Sequence, residues 1–201
     1  MGSRMITVRG VVTLVSVGVV ALSLSSKVAR GDEDGSRIRW DIQHYPNLVL
    51  QPGGQAFADA VDGSRIRFTG SGTFQTDGGD VTGGGTWATF DAADVQTGSG
   101  QYRVVHLVSW HAAPGALPCP PITDDIAPCG DARAGLAVLQ IQYASGDLGK
   151  LVVSCHLPVG SPKSVYEGIT VSKGFVDYAN PEDPDLTMNG TIFHVIRGED
   201  N

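Results

Sequence analysis

The chain has 201 residues, 41% of them hydrophobic and 17% charged, with a net charge of −7 at neutral pH. That length suits one domain around one core. An acidic chain without a Lys/Arg cluster repels phosphate backbones and anionic headgroups, which argues against nucleic acid as a partner.

At the N-terminus, Arg4 and Arg9 precede an uncharged apolar run from Val11 to Leu24, and Ser25, Ser26 and Lys27 follow it. Fourteen residues at a helical rise of about 1.5 Å reach about 21 Å, short of the roughly 30 Å hydrocarbon core. The run therefore reads as a cleaved secretory signal over 1–31, cut after Ala29-Arg30-Gly31, with Ser23-Leu24-Ser25 as a second choice. No cysteine near the cut suggests a lipoprotein. Cleavage removes Arg4, Arg9, Lys27 and Arg30 but no acid, taking the net charge from −7 to −11. A single domain over 32–201 is then expected outside the cell, in the periplasm or in the envelope, with no membrane association after cleavage.

Strands are predicted over 37–42, 55–61, 65–75, 84–91, 100–111, 136–144, 150–157, 168–178 and 190–196, with turns at Asp62-Gly63, Asp77 to Asp80, Asp94 to Gly98 and Ser145 to Asp147. Ser164 to Glu167 could make one helical turn, and no 3.6-residue stripe survives elsewhere in the exported part. The phrase Gly-x-Gly-x-aromatic occurs three times, at Gly70 to Phe74, Gly83 to Trp87 and Gly98 to Tyr102, the aromatic steps of 13 and 15 residues fitting one strand and one turn each. Glycines there let strands bend and backbones approach. The fold class is all-β, a single antiparallel β-barrel of eight or nine strands, with a two-sheet sandwich as the alternative.

The proline-rich loop from Ala112 to Arg133 interrupts the meander and carries Cys119 and Cys129, the natural disulfide pair in an oxidising compartment. Loops this long tend to be functional or disordered, and a disulfide argues for order. Cys155 alternates with Leu151, Val153 and Leu157 and reads as a buried thiol.

On the long strand, strict alternation puts Tyr102, Val104, His106, Val108 and Trp110 on one, bulkier face, taken as the interior. Tyr102, His106 and Trp110, with Gln140 and Lys173 from later strands, are the candidate ligand-binding residues if the barrel encloses a cavity. Gln140, Gln142 and Lys173 face solvent if it is packed solid. His156 and His194 are the other imidazoles on later strands, but no His-x-His or His-Glu-x-x-His spacing exists, so no metal site is assigned. Glu182, Asp183 and Asp185 form an acidic loop without EF-hand spacing. There is no Gly-x-Ser-x-Gly elbow and no phosphate loop, so no catalytic residue and no cofactor are assigned. Asn189-Gly190-Thr191 is a glycosylation sequon.

The phrases Gly-Ser-Gly-Thr-Phe at 70–74, Val-Thr-Gly-Gly-Gly-Thr-Trp at 81–87 and Glu167 to Tyr178 resemble those of uncharacterised exported bacterial β-proteins. The resemblance implies export and a β-rich fold over most of the mature chain, and carries over no catalytic residue. In style the Gly-aromatic meander is similar to dirigent and allene oxide cyclase-type barrels, an analogy of architecture alone. Three functions follow: a secreted barrel binding a small apolar molecule without turnover, a cyclase- or isomerase-type enzyme using His106 or Lys173, or an extracellular interaction module with a solid core. A cavity above roughly 300 Å3 reaching His106 would support the first two.

Overall fold

The computed structural model describes Gly2, residues 35–185 and residues 187–197. The signal assignment over 1–31 therefore lies outside the described residues, Gly2 apart. Fourteen strands follow in order: β1 (Arg37–His44), β2 (Val49–Pro52), β3 (Ala56–Asp59), β4 (Arg65–Phe68), β5 (Ser71–Gln75), β6 (Val81–Phe90), β7 (Gln96–Ala113), β8 (Thr123–Asp124), β9 (Ala132–Tyr143), β10 (Leu148–Cys155), β11 (Gly168–Lys173), β12 (Val176–Tyr178), β13 (Asn180–Pro181) and β14 (Gly190–Ile196). The only helical elements among the described residues are two 3-10 turns, Pro46–Leu48 and Cys129–Asp131. Residues 163–167 form a bend and turn rather than a helix.

Strands β1, β5, β6, β7, β9 and β14 close a ring in which every neighbour is antiparallel. The expected antiparallel barrel is present, with six strands in the ring and the remainder outside it. Two strands of the ring are long enough to branch. β6 pairs with β5 through its first half and with β4 through its second, while β9 pairs with β14 at Ala132 and Arg133 and with β10 from Gly135 onward. β3 then adds to β4, and β11 to β10. The segment from Val176 to Pro181 bonds β11 as β12 and β3 as β13, so it joins the two sets of outer strands. Pairing of this kind leaves few unprotected edges.

Strand β7 departs from strict alternation. Its register against β9 shifts between Val104 and His106 and again between Leu107 and Ser109. Each shift inserts one extra residue, Val105 and then Val108, and an extra residue reverses the faces beyond it. Tyr102, Val104 and Leu107 are buried and Trp110 packs against the core, whereas His106 and Val108 are exposed. The interior placement of His106 and Val108 is thereby corrected, because alternation holds only up to the first bulge.

The glycine phrases seat aromatic rings from other strands. A Cβ on Gly72 would lie 2.8 Å from the Trp40 indole nitrogen, closer than real side chains approach, and one on Gly83 3.0 Å from its six-membered ring, a tight contact. Gly100 lies tightly under Trp87, at 3.1 Å, and Gly98 is in ordinary contact with it at 3.4 Å. Trp40, Phe68, Phe74 and Phe193 are fully buried, and each such ring contributes about 1.5–3 kcal/mol by leaving water. The core is one continuous cluster with two aromatic groups. Phe74, Trp110 and Phe193 pack with centroids 4.7–6.3 Å apart. Phe68, Tyr102, Tyr143 and Trp87 form the second, at 4.6–6.5 Å. The Tyr102 and Tyr143 hydroxyls donate to the carbonyls of Thr69 and Ser172, which satisfies polar atoms that burial would otherwise penalise.

Candidate functional site

The interior of the barrel is filled by these rings, so the expected interior pocket is not formed there. Tyr102 belongs to the core, its hydroxyl committed to Thr69. Trp110 packs against Phe74 and Phe193 and lies over Gly135, where a Cβ would be 2.6 Å from its ring. His106 pairs with Gln140 across the outer face of β7 and β9. Lys173 continues the inward row of Ile169 and Val171 at the end of β11, and its Nζ sits 4.2 Å from the Trp87 ring centroid and 4.9 Å from that of Tyr143. These five residues do not converge on one cavity. A shallow groove of about 290 Å3 crosses β7 at Gln101 to Arg103 and the end of β9, walled by Gln101, Arg103 and Gln142, and Arg103 donates to the Gln142 side-chain oxygen.

The loop of residues 112–133 builds the site that the structure offers instead. Cys119 and Cys129 are joined, with Cα atoms 6.4 Å apart. The loop folds back over the outer face of the barrel wall. β8 runs parallel to β2, and the Asp125 amide donates to the Leu50 carbonyl. His194 Nε2 lies 2.8 Å from Asp124 Oδ2, both side chains essentially inaccessible. Burial would raise the Asp124 carboxyl, but the His194 bond and the amides of Ile126 and Ala127 hold it below the usual carboxylate range. Arg39, opposite His194 across β1 and β14, forms a two-pronged ion pair with the buried Asp41. On the outside of β1 and β14, Asp41 and His194 are thus buried, His194 against the loop, while Arg39 stays partly in water.

Beside this latch lies a cleft of about 190 Å3. Its apolar walls come from Leu50 of β2, Leu117 and Ile122 of the loop, and Leu157 beyond β10, with Tyr45 at one side. Its polar groups are Gln43 at the end of β1, His156, Thr191 and Glu167. Glu167 is half-buried as a residue, but its carboxyl is enclosed. Oε2 accepts from the His156 amide at 2.6 Å and Oε1 from the Thr191 amide at 2.5 Å; the Thr191 hydroxyl, whose one proton is directed to the Ser154 carbonyl at 2.5 Å, lies 3.0 Å from Oε1. Burial pushes the Glu167 carboxyl up to about 8, against the pull of these contacts. No salt bridge reaches it among the described residues. Gln43 is 7% exposed, and its Oε1 has no hydrogen-bond partner.

Cys155 is a free, buried thiol at the edge of the cleft, and burial raises it well above the usual thiol range. That is the reverse of what a nucleophile needs. Asn189 is 3% exposed; its Oδ1 accepts from the Phe57 amide and its Nδ2 donates to the Asp183 carbonyl. The sequon asparagine is therefore part of the fold. Glu182 pairs with Arg65, and Asp185 accepts from Thr187 and Met188. Among the described residues no three His, Cys, Asp or Glu side chains are grouped to hold a metal, and no helix is long and apolar enough to cross a membrane.

Sequence reasoning missed Glu167 and Gln43. Glu167 carries no signal beyond its position ahead of the apolar Gly168-Ile169-Thr170-Val171, and Gln43 sits on the strand face that alternation assigns to solvent. The loop that covers them is distant in sequence. The chain matches no family model, no curated protein and no solved structure.

Proposed function

We propose that the protein is an exported binding protein that holds a small, largely apolar molecule in the cleft beneath the disulfide loop. The carrying observation is the cleft itself: aliphatic walls around a few polar groups, one of them a buried carboxamide oxygen without a partner. Ligand pockets show that combination; at about 190 Å3 the cleft is below the roughly 300 Å3 of a drug-sized pocket and does not reach His106, so its occupant is smaller. The disulfide fits an oxidising compartment, and the charged, apolar N-terminal run and the resemblance to exported bacterial β-proteins support export. A cavity of about 150 Å3 accepts benzene, so a molecule of that size suits this one. Calorimetric titration with benzyl alcohol and its charged analogues tests the reading: at least one binds, and Ile122→Trp, which fills the cleft from the loop side, abolishes binding. Equal binding by the filled variant would remove the cleft as the site.

A second reading, an interaction module with a solid core, is favoured by the filled barrel and by Phe175, which stands fully exposed at the turn between β11 and β12. An isolated exposed apolar side chain is common on soluble proteins. Capture of a macromolecular partner that Phe175→Ser abolishes, with Ile122→Trp without effect, would favour this reading over the first.

A further inference from the structure

We propose that the ligand of the cleft is a cation, a small primary ammonium with an apolar body, whose charged head replaces the missing countercharge of Glu167 and whose body lies against Leu50, Leu117 and Ile122. This deepens the binding reading given above and rests on it. Three features of the site converge on that chemistry.

The first is charge. The ionisable residues lining the cleft are Tyr45, Cys155, His156, Glu167 and Asp185, with no lysine or arginine among them. An anion would meet two carboxylates and no fixed cation, and the chain as a whole is acidic. The second is the pattern of hydrogen bonds. A carboxylate offers about four lone-pair positions. The Thr191 amide takes one on Oε1 and the His156 amide takes one on Oε2, while the single proton of the Thr191 hydroxyl goes to the Ser154 carbonyl at 2.5 Å, which leaves one on each oxygen. The Gln43 oxygen is a further open acceptor. Glu167 and Gln43 together therefore present acceptors, and an ammonium, with three donors and no acceptor, satisfies both.

The third is energetic. An enclosed carboxylate without a partner is costly to ionise, and a bound cation removes that cost. The raised carboxyl described above follows from burial without a countercharge. The aliphatic wall accounts for the body of the ligand, because a bare ion gains nothing from Leu50, Leu117 and Ile122.

The test uses the exported chain and three probes of nearly equal shape: benzylammonium, benzyl alcohol and benzoate. Calorimetric titration at pH 8.5, where Glu167 is largely ionised, should rank benzylammonium at least tenfold tighter than benzyl alcohol, with benzoate weakest. Glu167→Gln, which keeps the shape, should reduce the ammonium preference to threefold or less, and Gln43→Leu should weaken ammonium several-fold if Glu167→Gln folds poorly by circular dichroism. Ile122→Trp should abolish all binding. Benzyl alcohol or benzoate binding as tightly as the ammonium, and lost in Ile122→Trp, overturns the cation assignment while leaving the cleft as a site. Binding of no probe, or binding indifferent to Ile122→Trp, overturns both.

Discussion

The two ends of β11 carry ionisable groups of opposite sign in opposite circumstances. At its far end the Lys173 ammonium lies over the faces of Trp87 and Tyr143, half in solvent, its charge offset by two aromatic quadrupoles. Ahead of its first residue the Glu167 carboxyl is enclosed, held by the amides of His156 and Thr191, with no salt bridge to it among the described residues. The two lie about 20 Å apart along an extended strand. A charge already satisfied within the fold has little left to offer a ligand. A carboxyl that is positioned but has no countercharge does, which supports the acid end as the proposed site and leaves the lysine end as a structural cap.

Substitutions can break this contrast, starting with the loop that encloses the acid end. Asp124→Ala leaves the inaccessible Nε2 of His194 without its hydrogen-bond partner and should cost about 1–3 kcal/mol in denaturant unfolding. An effect below 1 kcal/mol would mean the loop is not latched there. Asp124 also sets an acid limit. Its carboxyl is held low in the fold, so its contribution is present above the ordinary carboxylate range and is lost as pH falls through the folded value. Replacing Cys119 and Cys129 together by serine should cost about 3 kcal/mol by the chain-entropy argument for a short closed loop, read as a lower midpoint of thermal unfolding. Asn189→Ala leaves the Phe57 amide buried without its acceptor and should cost about 1–3 kcal/mol.

At the opposite end of β11, Lys173→Met should cost only about 1 kcal/mol, the scale of a half-exposed cation over rings. A loss of ligand binding in that variant would invert the comparison. A pH dependence tests the acid end of β11 independently of these magnitudes. Glu167 has a folded pKa of about 8, raised from its ordinary value by burial. The native state thus holds this proton more tightly than the unfolded chain, so the stability it contributes is present below about 4.5 and declines as pH rises toward 8. The difference in melting temperature between the parent chain and Glu167→Gln should shift in favour of the variant between pH 5 and pH 8.5, and a difference constant with pH would place the carboxyl in ordinary solvent.

Much of the barrel was legible from short-range signals. The predicted strands over 37–42, 84–91, 136–144 and 190–196 fall within or across β1, β6, β9 and β14, because alternation and Gly/Asp turns mark them locally. The 65–75 stretch divides into β4 and β5 at Thr69-Gly70, and 168–178 folds back at Gly174-Phe175 into β11 and β12. Strands β2, β8 and β13 were not predicted; they are two to four residues long and exist through distant partners, β8 through β2 and β13 through β3. The candidate site was much less legible. His106 was assigned to the interior because strict alternation was carried through two bulges, and a bulge is a property of the pair of strands rather than of one.

By itself, then, the amino-acid order determined the all-β class, the antiparallel barrel, the pairing of Cys119 with Cys129 and the buried state of Cys155, since each rests on alternation, turn chemistry or proximity along the chain. Tertiary structure alone decided that the ring closes on six strands, that His106 faces water, and that a loop near residue 120 covers Gln43 and Glu167. Those outcomes depend on which distant segments meet, and the environment of a carboxyl comes from its neighbours in space, which periodicity along one strand does not encode.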